Sequence, residues 1–110
     1  MSKHITIFSV MAASDRDRFP TAMWEGEVES DDLEDIFRAF NRVDEEDATR
    51  LEEIGYKLPS LSVGDIVVRE TDQQMVASCG FREVSTAEVL KIVSSSDPWL
   101  VAKKINRGDL

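Results

Sequence analysis

Cysteine occurs once in this chain of 110 residues, at Cys79, so no internal disulfide can form and a reducing compartment fits. Histidine also occurs once, as His4, and one imidazole with one thiol cannot complete a structural zinc site. The acidic run "DEED" lacks the alternating aspartates and the glycine of a calcium-binding loop. No glycine-rich phosphate loop is present, since "SVGD" carries a single glycine ahead of a β-branched run. No apolar stretch is long enough to span a membrane. The start, "MSKHITIFSV", has neither the apolar core nor the cleavage site of a signal peptide. These absences point to a cytoplasmic protein with no metal, no cofactor and no membrane partner.

What is present suffices for one domain with one core: 42% of the residues are apolar. Negative charge prevails, at a net −9, and it is gathered in one place. Residues 25–53 hold thirteen acids against three bases, a charge of −10, while residues 1–24 carry +1 and residues 54–110 are neutral. Such a segment repels a phosphate backbone, so direct nucleic-acid binding is not expected. A protein partner with a basic surface suits it, because localised charge steers encounter. The plainer reading is a solvated face that keeps the chain soluble.

Periodicity sorts the chain into elements. "HITIFSV" predicts a strand over 4–10 with apolar side chains on both faces, hence central in a sheet. "AASDRDRFPT" reads as a loop. "AMWEGEV" alternates Trp24, Gly26 and Val28 with Glu25 and Glu27, a short edge strand or an extended arm whose acids discourage pairing with other chains. Leu33, Ile36, Phe37 and Phe40 recur at helical spacing and predict a helix over 31–42, capped by Asp31 with Glu34. A shorter helix over 45–54 follows, with Asp44 as cap, Ala48, Leu51 and Ile54 inward, and Gly55 as its close. Pro59 stops it, and "LPSLSVGDIVV" steers the chain into a hairpin over 65–84 with "TDQQ" as loop and a bulge or a close backbone approach at Gly80.

Ser85 and Glu88 head a helix over 86–95 at capping-box spacing, and Asp97 with Pro98 opens one more helical turn holding Trp99 and Leu100. "KKINRGDL" reads as a frayed tail. The fold class is α+β: a small, mainly antiparallel sheet covered on one face by the helices over 31–42 and 86–95. Leu33, Ile36, Phe37, Phe40, Ile66, Val68, Val76 and Leu90 are the expected core. On that assignment Phe37→Ala costs about 3–5 kcal/mol.

The order "DDLEDIFRAFN", then "PSLSVGDIVV", then "CGFREV" resembles the YodL-like domain. In that family a helix of the type D-L-E-x-I-F-x-x-F-N precedes S-x-S-V-x-D-V-V, and the returning strand ends in G-F-x-x. The likeness covers residues 31–84. It implies a small α+β domain of bacterial, phage or mobile-element proteins, often set beside unrelated modules, and it brings no established catalytic constellation. This chain places "VDEEDATRLEEIGYKL" between the helix and the serine motif, where many such domains are brief.

Candidate chemistry is sparse. His4 and Cys79 would make a thiol–imidazole pair only if the first strand neighboured the returning one, and a small thiol-dependent enzyme is the rival reading. Ser60, Ser62 and Asp65 would either line a polar pocket for a small regulatory ligand or bond their own backbone and fix the chain's path; the second mechanism is the commoner. No catalytic set emerges. The expectation is a non-enzymatic, acidic protein-binding module that meets a basic partner through residues 24–35. Trp24 would be its anchor, Glu25, Glu27, Glu29, Asp32 and Asp35 its steering charges, and the free edge of the strand a template for a partner's sheet. Acidic mimicry in an anti-defence inhibitor is one form this takes.

Overall fold

The structure, a computed structural model, describes residues 2–108. Five strands pair antiparallel in the order β2-β1-β3-β4-β5, with β1 Lys3–Phe8, β2 Met23–Val28, β3 Ile66–Val68, β4 Gln73–Val76 and β5 Phe81–Glu83. Helices α1 (Val10–Ser14), α2 (Leu33–Phe40), α3 (Glu45–Glu53), α4 (Thr86–Val93) and α5 (Pro98–Arg107) join or follow them. The α+β class holds, and β1 lies inside the sheet with β2 at its edge.

Ladder partners point to the same side of a sheet, and neighbours along a strand to opposite sides. Ile7, Trp24 and Val67 therefore share one face, as do Val76 and Phe81. On that side Trp24 packs on Phe40 of α2 at 5.5 Å, and Phe37 of α2 meets Phe81 edge-on at 6.1 Å. The reverse face carries Phe8, Ile66, Met75 and Arg82. There the Arg82 guanidinium donates to the Ile105 carbonyl of α5, and α5 packs on α1 and α4. Helices thus cover both faces rather than one. The central strands are apolar on both sides, so Ile5, Ile7, Ile66, Val67 and Met75 are fully buried.

Several boundaries shift for local reasons. The strand expected over 4–10 stops at Phe8, because the Ser9 hydroxyl accepts from the Ala12 amide at 3.1 Å and caps α1, which begins at Val10 and runs into the expected loop. Asp32, not Asp31, caps α2, accepting from the amides of Glu34 and Asp35 at 3.0 and 3.3 Å. Asp44 caps α3 and the Ser85–Glu88 capping box forms on α4, both as expected. The hairpin's returning strand is broken. The Ala77 amide donates to the Gly80 carbonyl at 2.9 Å, and Gly80, at φ 84°, makes a tight turn between β4 and β5 in place of a bulge.

The expected frayed tail is instead helical as far as Arg107. The Asp97 carboxylate accepts from the Leu100 amide at 3.2 Å, and Ala102 and Ile105 are fully buried against the sheet side. The last two residues of that tail lie outside the described residues. Trp99 faces outward on α5, with Lys103 Nζ 4.1 Å above its ring.

Among the expected core residues, Ile36, Phe40, Ile66 and Val76 are buried, while Leu33, Phe37 and Val68 are half-buried. Leu90 is 58% exposed, because α4 turns Ile92 and Val89 inward instead. A surface clamp fixes the β3–β4 loop. Arg69 grips Asp72 at 2.7 and 2.6 Å with two donors and reaches the Asp31 carbonyl ahead of α2 at 2.9 Å with a third. That grip holds the Asp72 carboxyl below its ordinary range.

Burial decides which aromatic of α2 carries the most stability. Phe40→Ala should cost about 3–5 kcal/mol and the half-buried Phe37→Ala distinctly less, measured by urea denaturation. Equal losses would show that the two rings contribute alike.

Candidate functional site

α2 and α3 pack on each other beside the end of β2 and leave a groove of about 380 Å³ between them. Its floor is apolar: Val28, Ile36, Phe40, Leu51 and Ile54. These are the inward stripes of the two helices and the last residue of the edge strand. Its rim is acidic, formed by Glu29, Asp35, Asp47 and Glu53, with Arg50 the one base in the lining. A low-dielectric floor under like-signed carboxylates focuses a negative potential, which draws cationic groups in. The chemistry on offer is the capture of an apolar side chain with a basic neighbour.

The six residues expected at the contact divide between separate places. Trp24 points to the helix-covered side, where its Nε1 donates to the Ile54 carbonyl at 3.1 Å. Its ring lies 5.5 Å from Phe40 and 5.8 Å from Tyr56. Gly26 makes room for it, since a Cβ there would stand 2.6 Å from the indole Cζ2. Trp24 is thus a wall of the core beneath the groove and not the free anchor expected of it. Glu25 and Glu27 project from the other face of β2. Glu25 lies 3.5 Å from His4 Nε2, and Glu27 accepts from the Ser2 hydroxyl. Asp32 is engaged in capping. Of these acids, Glu29 and Asp35 bring their carboxylates to the groove, Asp35 also accepting from Ser30 at 2.8 Å, while Glu27 borders it only as part of the strand.

The contribution of α3 was missed. Asp47, Arg50, Leu51, Glu53 and Ile54 all line the groove. The signal was present in the sequence: an inward Leu51–Ile54 stripe flanked by acids makes half of an acid-rimmed trough.

His4 and Cys79 are not brought together. β1 has β2 and β3 as neighbours, whereas Cys79 sits exposed in the turn between β4 and β5. No helix among the described residues is long and apolar enough to cross a membrane.

Asp65 answers the question posed by "LPSLSVGDIVV". Its side chain is fully buried, one oxygen accepting from the Val10 amide and the other from the Ser62 amide, each at 2.9 Å. The carboxylate pins the connection before β3 onto the start of α1, so it steers the chain. Ser60 is exposed, and Ser62 borders a second hollow of about 450 Å³ with Phe37, Val76 and Phe81. Burial pushes Asp65 up to about 6, against the lowering effect of the Ser62 and Val10 amides. Burial, reinforced by Asp65, also drives the Tyr56 hydroxyl well above its ordinary value, and Arg42 opposes this. That hydroxyl donates to the Pro59 carbonyl at 3.0 Å.

The family model that matches this chain is described as the YodL-like domain and spans residues 6–86, from β1 to the start of α4. It takes in the groove and Asp65 and leaves out α5. No curated protein and no solved structure matches.

The raised Asp65 value fixes a sign. Its folded value of about 6 exceeds the ordinary unfolded one of about 4, so the folded chain holds that proton more tightly. Stability contributed by this group is therefore full below about pH 4 and is lost as pH rises toward about 6, on the order of 3 kcal/mol in all. Asp65→Asn should remove that slope and destabilise the chain at neutral pH, because its amide group cannot accept from both backbone N–H groups. Chemical denaturation of both proteins at pH 4.5 and 7 reads this directly; parallel slopes would refute it.

Proposed function

The chain belongs to the family of YodL-like domains, and we propose that it is a non-enzymatic protein-binding module whose acidic groove receives a basic segment of a partner. The observation that carries this is the groove itself: an apolar floor ringed by Glu29, Asp35, Asp47 and Glu53. Apolar area supplies affinity and the acids supply steering and the choice of a basic partner. The confinement of the charge excess to residues 25–53 supports the same reading, because the rest of the chain is close to neutral.

The setting that goes with this reading is the cytoplasm of a bacterium, with the gene carried by the host, a phage or a mobile element. In the latter two cases the acidic face acts as an anti-defence inhibitor, occupying a basic surface that a defence protein keeps for nucleic acid. Direct nucleic-acid binding is no part of this, since the segment repels phosphate.

The test is affinity capture from bacterial lysate at low and high salt, with mass spectrometry of the eluates, run beside a Glu29→Lys, Glu53→Lys double variant. Neither acid caps a helix, so the fold should persist. The wild type should hold a basic partner at low salt and release it at high salt, and the variant should lose it. Identical eluates from both would remove the groove from consideration.

A further inference from the structure

We propose that the segment received at the groove is an extended strand that pairs with the free edge of β2, apolar on the side facing α3 and basic on the side facing His4. This rests on the acidic-groove reading and adds the conformation and residue pattern of the ligand. Among the described residues β2 pairs with β1 alone, so along its six residues alternate amides and carbonyls point away from the sheet. The groove opens at that same edge, for Glu27 and Val28 belong to the strand and also line the groove.

A sixth strand laid there would continue the pleat, sending successive side chains to opposite sides. On one side it would meet Val28, Leu51 and Ile54, with Asp47 and Glu53 above them. On the other it would meet Glu25 and Glu27, both exposed, beyond which lies His4. The two sides of the site therefore ask for different residues, and only a strand supplies them by simple alternation. A helix would fill the groove yet leave the backbone edge unpaired and Glu25 and Glu27 out of reach. A second copy's β2 would set Glu25 and Glu27 against the same acids, which repel.

The test uses a capped peptide of alternating lysine and valine, titrated into the full chain, beside a peptide of the same composition rearranged to helical period. The alternating peptide should bind at least about tenfold more tightly, weaken with salt, and protect amides of residues 23–28 from hydrogen exchange. Two N-methylated forms sharpen it. Methyls on alternate amides should abolish binding in one phase and spare it in the other, since one edge of a strand bonds to β2. Glu25→Lys with Glu27→Lys should lower affinity for the alternating peptide. Equal binding by the rearranged peptide, or by both methylated forms, overturns strand pairing and leaves the acidic-groove reading standing. Binding by neither peptide also overturns the pairing; the broader reading falls with it only if the Glu29→Lys, Glu53→Lys variant captures the same proteins as the wild type.

Discussion

The carboxylate of Asp65 joins two parts of the chain that lie far apart in sequence. It accepts from Val10 at the first turn of α1 and from Ser62 in the connection leading to β3. An unpaired amide at either place would be buried without a partner, and burying a lone carboxylate there would cost still more. Each group is tolerable only because the other is present. Around this point the backbone of Asp65 also pairs with Val76, so the start of β3, the end of β4 and the start of α1 converge on one residue. That junction fastens the exit of β1 to the β3–β4 pair at the centre of the sheet.

The groove depends on the junction at one remove. Tyr56 meets both Phe40 and Trp24 edge to face beneath it, with Phe40 and Tyr56 only 4.8 Å apart, and Trp24 lies tilted on Phe40. Tyr56 is tied to Pro59, and Arg42 to Leu58, so the chain leaving α3 returns toward β3 along a fixed path. This lets many carboxylates stand together on α2 and α3. Their mutual repulsion is offset by the aromatic contacts below and by the helix N-termini, where several of them cap or lie within the first turn.

Local chemistry was legible in the sequence, and long-range packing was not. The Ser85–Glu88 box, the Asp44 cap and the β2 edge follow from short spacings that a chain displays without folding. Which face each helix covers does not. The inward side of α4 depends on where α5 lies, and only the first turn of α5 is legible, because beyond it the buried Ile105 stands alone among charged and polar residues. Ser9 and Val10 looked like strand because nothing nearby reveals that Asp65 will bond the Val10 amide. The candidate site was half visible. Alternation along β2 puts Trp24 on one side and Glu25 on the other, and the opposite wall of the groove comes from α3.

The two tryptophans end up in contrasting surroundings on opposite sides of the sheet. Trp24 is wedged among Phe40, Tyr56 and Gly26 with its ring nitrogen bonded, whereas Trp99 is 47% exposed under a lysine. The chain thus carries two intrinsic optical reporters of different layers. One indole is screened from soluble quenchers and touches the floor residues of the groove; the other is open to water. A ligand seated on that floor would alter the emission of the first, while the second would serve as an internal reference within the same molecule.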